Sequence, residues 1–154
     1  MRIVCDTNVL VRAGARPNGA ARALLTVMQD QGHDLIVSPL LLIELRRVLD
    51  YPHVRSGLQL TDEIVEEFLA GLEGASSLVH PPMQDLVSVV IRDPDDDPIL
   101  QTAVSGKADV LCTLDRHFYV PEVLAYCASH SIRILTDVEL LRELRAQSRE
   151  TPAP

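Results

Sequence analysis

The sequence predicts a three-layer α/β/α fold, in which a central parallel sheet of four to five strands lies between helices. Short blocks rich in β-branched residues recur along the chain, and stretches with helical periodicity separate them. At 154 residues, of which 47% are hydrophobic, the chain has the size and core material of one domain. The predicted strands are Arg2–Cys5, Asp34–Ser38, Asp109–Thr113 and Ser131–Leu135.

Each predicted helix has a recognisable start or end. The first begins near Gly19 and ends at Gly32. The others begin at N-cap residues, at a proline of the first turn or at a capping box. These starts are Ser38 with Pro39, Thr61, Asp97 with Pro98, Pro121, and Thr136 with Glu139.

Composition limits the environment and the partners. The formal net charge of −8 disfavours broad coating of a nucleic acid, although an enzyme that cuts one short strand needs only a local basic rim. No apolar run approaches the roughly 20 residues that cross a bilayer, and three widely spaced cysteines fit a reducing cytoplasm. We expect a domain over residues 1–146 and a disordered tail over 147–154.

Acidic residues fall where strands meet helices. Asp6 follows the first strand, Glu44 borders the apolar face of the second helix, and Asp115 comes two residues after Thr113. A fourth position lies in the run from Asp93 to Asp97, which holds four carboxylates in five residues. Carboxylates at one edge of a parallel sheet form a site for a hard cation such as Mg²⁺ or Mn²⁺. This predicts metal-assisted hydrolysis of phosphodiesters.

Each of these positions also has an ordinary structural explanation. Asp6 could cap the next helix, Glu44 could be a solvated helix residue, and the acidic run could be a solvated turn. Within that run, Asp97 is expected to cap the helix that begins at Pro98, which leaves Asp96 or Asp93 to face a metal.

The ordered set of motifs resembles the PIN-domain family, and within it the toxin components of bacterial toxin–antitoxin systems. The resemblance covers residues 1 to about 145. Its motifs are the segment from Ile3 to Leu10, Ser38-Pro39 leading to Glu44, the segment Arg92-Asp93-Pro94-Asp95-Asp96, and Thr113-Leu114-Asp115.

The resemblance implies a magnesium- or manganese-dependent endoribonuclease that acts on single-stranded RNA. By this match Asp6, Glu44, Asp96 and Asp115 hold the metal, with Asn8 and Thr113 as supporting polar groups. It further implies a homodimer and a possible antitoxin partner. Alignment through Ala103 favours Asp96 as the third acid, whereas counting back from Asp115 favours Asp97, and the number of metal ions stays open.

Two other functions fit parts of the pattern. A haloacid-dehalogenase-like phosphatase would use the Asp after the first strand as nucleophile, but it needs a second Asp where this chain has Asn8. A non-catalytic PIN-like module would bind RNA or protein, but all four acidic positions are filled.

Overall fold

The computed structural model describes residues 1–16, 18–82 and 97–150, with Asp97 and Glu150 described by their backbone alone. Five parallel strands form one sheet in the order β3-β2-β1-β4-β5. The strands are β1 (Arg2–Cys5), β2 (Asp34–Val37), β3 (Ser76–Leu78), β4 (Val110–Cys112) and β5 (Arg133–Leu135). The chain moves from β1 outward to β3 and then returns to β4 on the other side of β1. Ligands of open α/β sheets bind at such switch points, outside the carboxyl ends of the strands.

The described part of the chain contains eight α-helices and a 3-10 turn. The helices are α1 (Thr7–Ala15), α2 (Ala20–Asp30), α3 (Pro39–Leu49), α4 (Pro52–Leu58), α5 (Asp62–Gly74), α6 (Asp97–Ser105), α7 (Pro121–Ser129) and α8 (Asp137–Glu150), and the 3-10 turn is Arg116–Tyr119. Helix α2 packs against α1 and α8, and α6 packs across β1, β2 and β4. The fold is therefore the predicted three-layer α/β/α arrangement.

The central strands are apolar because helices cover both of their faces. Ile3, Val4, Ile36 and Leu111 are fully buried, and the register pairs Val4 with both Ile36 and Leu111. The three cysteines are also buried and carry free thiols. The apolar blocks of the sequence thus form the middle of the core, and only the strand ends are left to carry polar side chains.

The amino edge of the sheet, where the strands begin, is held together by Arg2. The Arg2 guanidinium lies 2.8 Å from Oδ2 of Asp34, and its backbone N–H donates to Oδ2 of Asp109 at 2.7 Å. The hydroxyl of Ser77 donates to the other oxygen of Asp34. These bonds join β1, β2, β3 and the start of β4, so both carboxylates have partners that satisfy their charge.

Helix α6 crosses the sheet from its carboxyl edge to its amino edge. In its second half, the hydroxyl of Thr102 donates to that of Ser38 at 2.8 Å, and Ser38 directly follows β2. After its end, the carbonyl of Gly106 accepts a hydrogen bond of 2.7 Å from Nε of Arg2. The backbone of Asp97, at the other end of α6, therefore lies on the carboxyl side of the sheet.

A glycine is required at position 106. A Cβ there would lie 2.6 Å from Cγ2 of Ile36 and 2.9 Å from the carbonyl oxygen of Thr102. The first neighbour belongs to the buried strand β2 and the second to the helix backbone, so neither can give way cheaply. Gly106 therefore lets the end of α6 approach the sheet closely.

Several sequence predictions are confirmed in detail. Ser38 accepts a hydrogen bond from the N–H of Leu41 as the N-cap of α3, and Thr61 caps α5 in the same way. The capping box of α8 is formed, since Thr136 N–H donates to Glu139 and Glu139 N–H donates to the Thr136 hydroxyl. The four predicted strands are present within a residue or two of their expected limits.

Other elements differ from the expectation. The helix predicted from Gly19 is the second helix of the chain, because α1 already begins directly after Asp6. Helix α4 and strand β3 were not predicted. Strand β3 is an edge strand, and it brings the sheet from the four strands located in the sequence to five. Helix α8 continues to Glu150, beyond the predicted domain limit at residue 146, and residues 151–154 of the predicted tail lie outside the described residues.

Candidate active site at the carboxyl edge

Two neighbouring strands deliver polar side chains to the switch point of the sheet. Strand β1 ends at Cys5 and is followed by Asp6, while β4 ends at Cys112 and is followed by Thr113. Cys5 and Cys112 are direct partners in the register, so the residues that follow them emerge side by side. The backbone N–H of Asp6 continues this pairing by donating to the carbonyl of Cys112 at 2.9 Å.

Asp6 is a buried carboxylate that does not cap a helix. Asp6 is 4% exposed. It occupies the N-cap position of α1, but its side chain makes no capping hydrogen bond there. Instead Oδ2 accepts a hydrogen bond of 2.6 Å from the hydroxyl of Thr113. The usual side-chain cap of α1 is therefore absent, and a backbone hydrogen bond from Thr7 is the contact of this carboxylate with the helix.

Burial raises the pKa of Asp6 to about 6. The hydrogen bond from Thr113 opposes this rise, whereas the negative charges of Asp115 and Glu44 add to it. The carboxylates of Asp115 and Glu44 thus lie close enough to act on that of Asp6. Asp6, Asp115 and Glu44 are therefore on the same side of the sheet, and their roles as metal ligands stay a prediction.

Asp115 is fixed by the turn that it begins. Its N–H donates to the Thr113 hydroxyl at 3.0 Å, and its Oδ1 accepts from the N–H of His117 at 2.9 Å. The next residue, Phe118, is fully buried and anchors the turn. The Thr113 hydroxyl therefore contacts both acids, since it donates to Asp6 and accepts from Asp115.

Glu44 reaches the site from the middle of α3. Its side chain is 32% exposed, between the buried Leu45 and the exposed Ile43. Arg47, one turn along, lies 3.8 Å from its Oε1, which is a loose pair on the outer side of the helix. Glu44 therefore borders the buried face, as its position in the apolar pattern predicted.

The third predicted acid lies outside the described residues. This applies to Asp96 and to the alternative Asp93, and the side chain of the alternative Asp97 lies outside them as well. The backbone of Asp97 starts α6 on the carboxyl side of the sheet. The acidic run thus ends at the same edge as Asp6 and Asp115.

Two side-chain oxygens in the first turn of α1 are buried without a hydrogen-bond partner in the described part of the chain. They are Oγ1 of Thr7 and Oδ1 of Asn8. Buried polar atoms without partners are uncommon and call for an explanation such as an ion or a ligand. Sequence reasoning named Asn8 as a supporting group but missed Thr7, whose only signal was its place beside Asp6.

The donor chemistry of this edge fits Mg²⁺ or Mn²⁺. Asp6, Glu44, Asp115 and Asn8 all offer side-chain oxygen atoms, which are the ligand type that hard cations prefer. Within residues 1–16, 18–82 and 97–150, no group of three or more His, Cys, Asp or Glu side chains is close enough to hold a metal ion by itself. Mg²⁺ sites commonly use one or two carboxylates and complete the shell with waters and substrate phosphate, so the donors present fit such an ion.

A family model described as PIN domain matches residues 2–117 of the chain. The match covers β1 to β4 and includes every acid named above. Comparisons with curated proteins and with solved structures found no match. In the same described ranges, no helix is both long and apolar enough to cross a membrane.

Proposed function

The chain belongs to the PIN-domain family, whose members are generally nucleases, and we propose that it is a divalent-metal-dependent endoribonuclease and the toxin of a toxin–antitoxin pair. PIN domains typically use divalent metal ions. The proposal goes beyond the family in naming the metal dependence of this chain, its RNA substrate and its biological role.

One observation carries the catalytic proposal. Asp6 is buried at the switch point, and its pKa is raised by burial and by two further carboxylates. A protein gains no stability from a buried carboxylate that lies near two further acids, because desolvation and like charges both oppose folding. Such an arrangement is typical of sites that bind a cation or carry out chemistry.

The side chains have separable tasks in this site. Asp6 and Asp96 would hold the ion, with Glu44 and Asp115 as inner- or outer-sphere partners. The Thr113 hydroxyl fixes the orientation of the Asp6 carboxylate through its bond of 2.6 Å. When bound, Mg²⁺ or Mn²⁺ supplies a Lewis acid that offsets negative charge on the phosphate that is cleaved.

Arginines near the site supply local positive charge for a polynucleotide. Arg116 directly follows Asp115, and Arg12 lies one helical turn beyond Asn8 on α1. Both are exposed, and neither forms a salt bridge within the described ranges. A net charge of −8 does not exclude binding of one strand, because phosphate contacts depend on the local field rather than on the total charge.

The central test is cleavage of a labelled single-stranded RNA with Mg²⁺ or Mn²⁺ by the wild type, by Asp6→Asn and by Asp109→Asn. Asp6→Asn removes a charge at the carboxyl edge and should lower the cleavage rate about a thousandfold or more, because metal stabilisation of the transition state is worth several kcal/mol. Asp109→Asn removes a charge at the amino edge and should leave the rate of the folded protein unchanged.

Equal cleavage by Asp6→Asn and by the wild type would refute the catalytic role of the site. Binding of RNA without cleavage by the wild type, at any Mg²⁺ or Mn²⁺ concentration, would instead favour a non-catalytic binding module. The toxin role has its own test. Expression of the wild type should arrest bacterial growth, expression of Asp6→Asn should not, and co-expression of a cognate antitoxin should restore growth.

We also propose that the chain forms a homodimer. Leu40 and Ile43, one turn apart on α3, are 51% and 65% exposed, which is unusual for large aliphatic side chains beside a candidate site. Burial of this face between two copies would remove the exposed apolar area from water. Light scattering should give the mass of a dimer for the wild type and of a monomer for Ile43→Glu, and a monomeric wild type would refute the proposal.

A further inference from the structure

The segment after β4 is a closed set of hydrogen bonds around Thr113. Its N–H donates to the carbonyl of Leu135 in β5 at 3.0 Å, and its hydroxyl contacts both Asp6 and Asp115. Its carbonyl accepts a hydrogen bond of 2.9 Å from the hydroxyl of Tyr119, at the end of the 3-10 turn. Each polar atom of Thr113 therefore has a defined partner.

We infer that Tyr119 is a positioning residue of the candidate active site. Its hydroxyl holds the Thr113 carbonyl, and this bond helps to place the Thr113 hydroxyl that contacts both acids. The contacts of Tyr119 and Thr113 are observed in the structure, whereas their consequence for metal binding rests on the proposed function. Without the Tyr119 hydroxyl, the Thr113 carbonyl would lose the bond that ties the two ends of the turn together. The Thr113 hydroxyl, which contacts both Asp6 and Asp115, would then be less firmly placed.

Three further features support this role. Burial raises the pKa of Tyr119 to about 12, and the charge of Glu139 adds to the rise, so the hydroxyl keeps its proton and donates. The neighbouring Phe118 is fully buried, which fixes the backbone from which the Tyr119 ring extends. The bond spans the segment that carries Asp115, so both ends of the turn are anchored.

Tyr126 on α7 offers a matched control. It is also partly buried, and its ring packs against the ring of His130 at a centroid distance of 4.6 Å. In the ranges described, its hydroxyl makes no hydrogen bond, whereas that of Tyr119 does. Tyr126→Phe and Tyr119→Phe therefore remove the same atom, and only the second removes a link to the site.

The first experiment measures amide hydrogen exchange by NMR in the metal-free protein. In Tyr119→Phe the amides of Asp115 and His117 should exchange about threefold to tenfold faster than in the wild type, as expected for the loss of one hydrogen bond. The amide of Leu111 in β4 should be unchanged, and Tyr126→Phe should match the wild type at all three. Equal rates at Asp115 in the two variants, or an equal acceleration at every amide, would overturn the inference.

The second experiment measures Mn²⁺ affinity by titration calorimetry. Tyr119→Phe should bind Mn²⁺ about threefold to tenfold more weakly, since the misplaced ligands must be ordered on binding. Tyr126→Phe should bind like the wild type, and an equal affinity of all three proteins would overturn the inference. Failure of the wild type to bind Mn²⁺ would refute the proposed function, while the exchange rates would still decide whether Tyr119 holds this turn.

Discussion

The two edges of one sheet use carboxylates in opposite ways. At the amino edge Asp34 and Asp109 both accept from Arg2, and the strands are joined by these bonds. At the carboxyl edge burial raises the pKa of Asp6, and two other acids add to the rise, although the Thr113 hydroxyl donates to its carboxylate. The same type of side chain is therefore structural at one edge, where Arg2 supplies hydrogen-bond donors, and destabilising at the other, where burial and neighbouring acids raise its pKa.

This difference predicts that the carboxyl edge opposes folding and the amino edge favours it. Paired acids contribute hydrogen bonds to ionised groups, whereas repelling acids lower stability until a cation or a proton relieves them. Stability measurements can therefore distinguish the two edges without any assay of activity, and the largest effect is expected at Asp6.

The first of these predictions concerns pH. The pKa of Asp6 is about 6 in the folded chain and ordinarily 3.8, so the folded form holds the proton more tightly than the unfolded chain. This contribution to stability is present at acid pH and is lost as the pH rises through about 6. Between about pH 4.5 and pH 7.5 it should amount to about 2 kcal/mol.

Thermal melts of the metal-free wild type and of Asp6→Asn over that pH range measure this effect. The wild type should lose stability relative to the variant as the pH rises, and near neutral pH the variant should be the more stable protein. Saturating Mn²⁺ should stabilise the wild type by mass action and so reduce its loss of stability near neutral pH. The same pH dependence in both metal-free proteins would contradict the buried, repelled state of Asp6.

The second prediction concerns the amino edge and is smaller. Arg2→Ala removes the side-chain bonds to Asp34 and to the Gly106 carbonyl, which should cost about 1–2 kcal/mol of unfolding free energy. The cost is limited because the Arg2 side chain is 43% exposed, so solvent already screens its charge.

Chemical denaturation measures this loss, and Arg145→Ala, at an exposed position on α8, serves as the control. Cleavage by the folded Arg2→Ala protein should equal that of the wild type well below its melting temperature. A loss of cleavage without a loss of stability would show that the two edges are not separable in function.

Much of this arrangement could be predicted from the sequence because two strong patterns coincide. The apolar blocks that form β1, β2 and β4 are nearly continuous, as strands buried on both faces must be. Asp6 directly follows β1 and Asp115 lies three residues after the end of β4, so the parallel order brings them to the same edge. The place of Glu44 followed from its position about 40° from Val48 in the helical pattern.

The elements that were missed have weak or conflicting local signals. Strand β3 consists of Ser76, Ser77 and Leu78 and is defined by its backbone pairing with β2 rather than by side-chain pattern. Helix α1 contains the β-branched residues Val9 and Val11, which resemble a continuation of the first strand. Such segments take their structure from tertiary contacts, which a local pattern does not contain.

Side-chain bonds to the backbone were also beyond prediction. The bond from Tyr119 to the Thr113 carbonyl depends on the path of the 3-10 turn and on the anchoring of Phe118. In the sequence, Tyr119 is one of three tyrosines with no motif around it. The third acid raises a different problem, since the run from Asp93 to Asp97 offers several carboxylates at nearly the same place in the chain.

The last prediction tests whether a positively charged side chain at the carboxyl edge contacts the RNA. Arg116 is exposed beside Asp115, where it is placed to contact a phosphate of a bound strand. In the cleavage-defective background Asp6→Asn, we expect Arg116→Gln to weaken binding of a single-stranded RNA severalfold. It should also reduce the slope of the logarithm of the binding constant against the logarithm of salt concentration by about 0.7, the value for one phosphate contact on a single strand.

Fluorescence anisotropy over a range of salt concentrations measures both quantities. Arg145→Gln in the same background removes an equal charge from exposed α8 and should leave the slope unchanged. If both variants weaken binding equally, the RNA responds to total charge, and Arg116 has no special contact. If only Arg116→Gln changes the slope, the carboxyl edge combines acids for a metal with a cation for the strand, and exposed α8 has no such role.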